Sequence, residues 1–225
     1  MKYTLLFIVF TVFSAGLSAL ENAAKIIRVE GTAEVLHHKH TSWEVCEKNG
    51  LIVEGERIRT AYRSNIDIEL PDGSILKLGE ATVVTLGMVQ LGNKSRFNLF
   101  AGKIISRVKK LTAAESSFQI TTPTAVAAVR GTEFGMSFDP SSRENKVAVF
   151  EGSVAVSVNT NEVTNAAPSA KPVIINRNET ITFKNAEVPA TASIYNPVKE
   201  GEQWNFRVYD KRKNDGINID RNKKW

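Results

Sequence analysis

Across 225 residues there is a single cysteine, Cys46, so no disulfide within the chain can hold the fold together. Charge of one sign is missing too. The 29 Lys and Arg stand against 24 Asp and Glu, a net +5 too evenly mixed for a dedicated nucleic-acid binder. No nucleophile-elbow pattern occurs and no Gly-rich phosphate loop opens a helix, so elbow-type hydrolases and phosphate-loop nucleotide binders find no foothold, while sequence order alone leaves a Ser-His-Asp triad open. Nothing between Ala24 and Phe183 sustains a helical apolar period over three turns. What remains, with 42% hydrophobic and 24% charged residues, suits one or two globular domains with a real core.

The N-terminus carries the clearest physical signal. After Met1 and Lys2, the stretch from Tyr3 to Leu20 is uncharged, and its apolar centre runs from Leu5 to Phe13. Small residues follow at Ser14, Ala15, Gly16, Ser18 and Ala19. This predicts a signal peptide over 1–19, cut after Ala19, with Leu17 and Ala19 in the recognition positions. The competing reading is an uncleaved anchor, since a helix of this length spans about 27 Å. The run breaks into small residues where a spanning helix would continue, which favours cleavage. The chain is therefore expected to be exported, to a periplasm or beyond the cell. Membrane contact is expected only if this segment stays uncleaved or the C-terminal tail binds lipid. Outside the cytosol Cys46 has no partner in its own chain, and burial as a small hydrophobe is its expected state.

From Ala24 onward the pattern is of short strands and turns. Ile66, Ile68 and Leu70 alternate with Asn65, Asp67 and Glu69, which predicts a strand with the first set buried and the second in water. It runs into Pro71-Asp72-Gly73-Ser74, where proline presets the turn, Asp bonds the backbone ahead and Gly tolerates positive φ. Further β-rich runs are Ile26 to Val29, Ile75 to Leu78, Thr82 to Leu86, Phe118 to Thr121, Lys146 to Phe150, Val154 to Val158 and Thr180 to Phe183. Thr112 to Ser116 has room for one short helical turn. The predicted fold is all-β, a twisted β-sandwich or a short β-solenoid-like domain over 20–185.

One echo supports a repeating architecture. Phe100 to Val108, FAGKIISRV, and Phe150 to Val158, FEGSVAVSV, share Phe, then Gly two residues on, then apolar residues at matching steps. Glycine so early in a strand predicts a bend at which the chain passes from one sheet to another.

Five segments carry a family resemblance: GERIRT (Gly55 to Thr60), ELPDGSILKL (Glu69 to Leu78), FAGKIISRV, TPTAVAAVRGTEF (Thr122 to Phe134) and VAVFEGSVAVSV (Val147 to Val158). Together they resemble the FecR domain family over 55–158, and the last two segments are the specific ones. Thr122, Pro123, Val129, Arg130, Gly131, Thr132, Phe134, Glu151 and Gly152 carry the match. The resemblance implies a twisted, all-β, extracytoplasmic domain that binds other proteins or envelope components. In its best known members it forms the periplasmic half of a transmembrane regulator acting on a sigma factor. Here only Met1 and Lys2 precede the hydrophobic run. The chain therefore resembles the exported, stand-alone members that lack a cytoplasmic anti-sigma segment.

Read physically, the matched motif marks a fold rather than a catalytic site. Pro123 removes a donor and holds Thr122 extended, ending a strand or placing it at an edge. The short, alanine-rich run before Gly131 is expected to be extended rather than helical. Arg130 is either a structural guanidinium bonded to carbonyls or Glu133, or an exposed anion contact. Its place in an apolar run favours the first.

His37, His38 and His40 are the only histidines, and on a strand His38 and His40 would share a side, near Glu34, Glu44 and Cys46. With Lys39 among them, a solvated polar turn is the simpler account, and no metal or other cofactor is expected. No catalytic residue is assigned, and the chain is read as a non-enzyme.

The tail, 186–225, is basic and aromatic. Lys199 to Trp225 holds eight basic against five acidic residues. Trp204, Arg207, Lys211, Arg212 and Lys213 are its candidate binding residues, suited to an anionic polymer, a lipid headgroup or a protein. Alternatively its aromatics pack on the β domain while its charges stay solvated. Two functions stand. The first is a binding module of the cell envelope that engages a protein partner in signalling or assembly, without nucleic acid. The second is a structural or surface protein that holds an anionic polymer or lipid through its tail.

Overall fold

The computed structural model describes residues 22–89, 94–110, 117–159, 171–185, 187, 191–195, 204, 208–209 and 216–217. The expected signal peptide, the short helical turn at Thr112 to Ser116, and Arg207, Lys211, Arg212 and Lys213 lie outside them. Over the described residues the chain is all-β. In order the strands are β1 (Ala24–Glu30), β2 (Ala33–Leu36), β3 (Glu44–Val45), β4 (Leu51–Ile52), β5 (Arg57–Thr60), β6 (Asn65–Glu69), β7 (Ile75–Leu78), β8 (Val83–Val89) and β9 (Lys94–Arg107). Then come β10 (Ser117–Thr121), β11 (Ala125–Val129), β12 (Glu133–Asp139), β13 (Glu144–Glu151), β14 (Ser153–Val158), β15 (Val173–Asn176), β16 (Glu179–Lys184) and β17 (Ser193–Ile194). Within the tail, β18 (Val208–Tyr209) and β19 (Gly216–Ile217) pair with each other.

The first seventeen strands join into one hydrogen-bonded system. It has two layers. The first is ordered β4-β1-β6-β7-β9-β12-β13-β16-β17. The second is ordered β3-β2-β5-β8-β9-β10-β11-β14-β15. The long strand β9 is the middle member of both. Its first half pairs with β8 and, in parallel, with β10. Its second half pairs with β7 and β12.

Gly102 makes that crossing possible. Its φ is +86°, and a Cβ there would stand 2.3 Å from Thr82 Oγ1 and 2.5 Å from Thr82 Cα. The corner also resets the alternation, so that Phe97 and Leu99 point into the core before it and Ile104 after it. Gly152, the counterpart in the second copy of the echo, has φ +82° and lies between β13 of the first layer and β14 of the second. Both copies are therefore sheet-to-sheet corners, crossed in opposite senses. Between the layers Ile58, Ile66, Leu78, Leu99, Ile104, Ile120, Phe134, Val147 and Val154 form one continuous core, each fully buried.

The turn at Pro71 to Ser74 is built as its residues require. Asp72 accepts from the Ser74 amide at 2.8 Å and from the Ser74 hydroxyl at 2.9 Å, and Gly73 has φ +78°. The alternation beside it is only half kept. Ile66, Ile68 and Leu70 are buried as expected, but Asp67, expected in water, is completely buried as well. Its Oδ1 stands 3.7 Å from Nζ of Lys77, its register partner on β7, also completely buried. The physical reason is a second apolar cluster on the outer side of the first layer, which closes that face from water.

Candidate functional site

The Thr122 to Phe134 motif is scaffold. Pro123 lies in the turn between β10 and β11, and the alanine-rich run is the strand β11. Thr122, Thr124, Asn145 and Asn159 are all buried there, and they satisfy one another. The Thr122 hydroxyl donates to Asn145 Oδ1 at 2.7 Å, the Asn145 amide to Thr124 Oγ1 at 2.6 Å, and the Asn159 amide to the Thr122 carbonyl at 2.8 Å. Thr132 donates to the Ser153 carbonyl at 3.0 Å, tying the Gly131 turn to the Gly152 corner. Phe134 stands edge-on to Phe118, which tilts against Phe97. Val129 is buried, whereas Arg130 and Glu151 are exposed. Glu133 pairs with Arg107 at 3.5 Å.

The histidines form a turn at one end of the second layer. Lys39 has φ +67° and the His40 amide donates to the His37 carbonyl at 3.0 Å. His37 and His40 face each other edge-on at 5.7 Å, so the pairing differs from the His38 and His40 expected of a strand. His37 Nδ1 lies 2.5 Å from Oε1 of the buried Glu56, whose Oε2 accepts from the Val53 amide at 2.9 Å. Among the described residues no group of three or more His, Cys, Asp or Glu could hold a metal ion. Cys46 is buried, and burial, with the charges of Glu34 and Glu56, pushes its thiol up to about 11. That leaves it a thiol rather than a thiolate at neutral pH. Glu56 was not singled out from sequence; its only signal is its place in GERIRT.

The two outer faces of the domain differ. On the first layer, Ile27, Ile75, Ile105 and Ala148 are covered by Tyr195 and Trp204. Phe150 packs edge-on to both rings, at 5.6 Å from Tyr195 and 6.3 Å from Trp204. Trp204 rests on Gly135 so closely that a Cβ there would lie 2.5 Å from its ring. Trp204, expected among the tail residues open to a ligand, is therefore 1% exposed and unavailable to one. A large aromatic gains more by burial on a sheet than it loses in freedom.

Among the described residues nothing packs over the outer face of the second layer from β5 to β15. Arg57, Thr85, Asn98, Thr121, Val126 and Ser157 form one row in register across six strands. Arg96, Gln119, Ala128, Ala155 and Ile174 form the next. Every one is exposed or half-buried. Most are small and uncharged, which makes a flat surface. From β5 to β15 the charged side chains at outward positions among the described residues are Arg57, Arg59, Lys94 and Arg96, all cationic. A flat, accessible face with arginine and an exposed aromatic, Phe100, is chemistry for binding a macromolecule. Sequence reading passed over it because its residues are scattered over seven strands.

Residues 56–155 match the model of the FecR protein family. Among curated proteins none matches this sequence. Two crystal structures of a protein from Parabacteroides distasonis ATCC 8503, described as a "putative anti-sigma factor", share the fold, each at a TM-score of 0.54 and 17% identity. Each covers 69% of this chain, which spans 67% of one and 68% of the other.

Proposed function

We propose that this chain, which carries a FecR domain over residues 56–155, is a non-enzymatic, extracytoplasmic binding module that engages a protein partner in envelope signalling. Family and fold support a signalling role, and the contrast between the two faces supports binding. The apolar patch of one sheet face is covered by the chain's own Tyr195 and Trp204, while the other face, among the described residues, is flat, open and cationic from β5 across to β15. That contrast is the observation that carries the reading. Export with cleavage after Ala19 is part of it.

The test is crosslinking of the full chain in the cells that make it, with mass spectrometry of partners and of its N-terminal peptide. A stoichiometric envelope protein and a mature chain beginning at Leu20 are expected. Recovery of the chain alone overturns the partner reading. If a chain ending at Trp204 folds but loses envelope retention, a polymer- or lipid-binding tail takes its place.

A further inference from the structure

On the open face, two arginines two residues apart on β5 are held in similar ways but left in different states. Arg59 stacks on Trp43, its guanidinium carbon 4.2 Å from the ring centroid, and its Nε donates to Glu34 at 2.6 Å. It is already neutralised. Arg57 stacks on Phe100 at 5.1 Å, and its Nε donates to the Thr85 hydroxyl at 3.2 Å. It has no carboxylate partner among the described residues. Its two terminal amino groups form the fork that pairs with a carboxylate through two parallel hydrogen bonds.

Holding that fork in advance matters energetically. An arginine free in water loses rotamer entropy when it binds, and a ring beneath it and a hydroxyl at its Nε remove part of that loss. Phe100 is 40% exposed and carries the Arg57 guanidinium on its accessible face. Arginine and aromatic residues together are what dominate interface energetics.

We propose that Arg57 on Phe100 is the docking anchor of the open face, and that its occupant is an acidic protein surface presenting an Asp or Glu side chain to the guanidinium. The inference rests on the reading of the chain as a protein-binding module and names the chemistry of the partner. Charge complementarity selects the sign: across the second layer, from β5 through β8, β9, β10, β11 and β14 to β15, the charged side chains that point outward among the described residues are all cations, and the one carboxylate on neighbouring β2, Glu34, is paired with Arg59. The apolar part of the face selects a protein over a hydrated polyanion. Val83, Val126, Ala128, Ala155 and Ile174 are half-buried or exposed, and their dehydration rewards a partner that brings apolar side chains of its own.

The experiment places a photoreactive amino acid at Asn98, in the row of Arg57, or at Thr182, an exposed position on the other layer, in the full chain in its own cells. The Asn98 probe is expected to give a protein adduct whose crosslinked peptide carries clustered Asp or Glu, and the Thr182 probe none. Arg57→Gln should lower the adduct yield by about tenfold or more, with partial rescue in Arg57→Lys and no change in Lys184→Gln. Because Arg57 is exposed, unchanged thermal melting of these variants is expected. An adduct from Thr182 alone, or one from Asn98 indifferent to Arg57→Gln, overturns the anchor and leaves the binding-module reading standing. A glycan or lipid adduct at Asn98 overturns the protein occupant. No adduct from either probe overturns both.

Discussion

Trp204 lies against Gly135, a residue of β12 far from it in sequence, with room for no side chain between them. Trp204→Ala is therefore expected to open the outer cluster of the first layer, at a local cost of about 3–5 kcal/mol. Gly135→Ala should do the same more gently, by pushing the ring off its seat. The Trp204 cluster is separate from the core between the layers. Both variants should therefore loosen β17 and Tyr195, read as faster hydrogen exchange there, while the remaining sheet keeps its protection. Uniform loss of protection across β6, β9 and β13 would show instead that Trp204 is part of one cooperative core.

The buried pair of Asp67 and Lys77 gives an asymmetric prediction. Removing one member leaves a dehydrated charge, so Asp67→Asn and Lys77→Met are each expected to destabilise by about 3–5 kcal/mol. Replacing both, as Asp67→Leu with Lys77→Met, should recover most of that loss, because attraction within such a pair does little more than offset the cost of burying it. Denaturation midpoints of the three variants decide the matter. A double variant as damaged as the sum of the singles would mean the pair is needed for its geometry and not merely compensated.

Asp67 also marks where sequence reading stops. The period of two placed Ile66, Ile68 and Leu70 correctly, because that pattern is local and the core lies on the side it indicates. The opposite face was assigned to water because alternation reports only that two faces differ. Whether the second is wet depends on what crosses it, and here the cover comes from Tyr195 and Trp204, near the other end of the chain. The FecR-like motif was legible for the opposite reason. Gly102 and Gly152 need positive φ, and Thr122 needs a hydroxyl to receive the Ala125 amide at 3.0 Å, so those residue types carry their geometry with them. The open face was not legible, since each strand gives it only one to three small or cationic residues. A further corner, where Gly31 presses on Ser64 at φ +74°, lies between β1 of the first layer and β2 of the second, and its Glu30-Gly31-Thr32 parallels Glu151-Gly152-Ser153.

The corners make a prediction of their own. Gly102→Ala asks for a Cβ at positive φ and against the Thr82 backbone, which cannot swing away. A loss of about 2–4 kcal/mol is expected, near the upper end for a single added methyl. Gly152→Ala meets the Thr132 hydroxyl at 2.9 Å and the Gly131 carbonyl at 3.1 Å, looser contacts than the 2.5 Å approach to the Thr82 backbone at Gly102, and should cost less. Thermal melting of the two variants ranks them. If Gly152→Ala proves the more damaging, backbone contact is not what limits the corner.

Cys46 links the fold to pH with a definite sign. The protonated thiol is neutral, so burial favours the form that keeps its proton, and the thiol titrates near 11 in the native chain against 9.0 when unperturbed. Below pH 9 both states hold the proton, and the contribution to stability is constant. Between 9 and 11 the unfolded chain has released it and the native chain has not, so stability falls as pH rises through that window. Other groups titrate there too, so the quantity to measure is the difference between the wild type and Cys46→Ala in urea denaturation at several pH values. The wild type should lose stability faster than the variant above pH 9, and its thiol should resist iodoacetamide at pH 8 until urea unfolds the chain. Parallel curves for the two proteins would mean that Cys46 reaches water in the native state, and with it that the end of the sheet around Glu34 and Glu56 opens in solution.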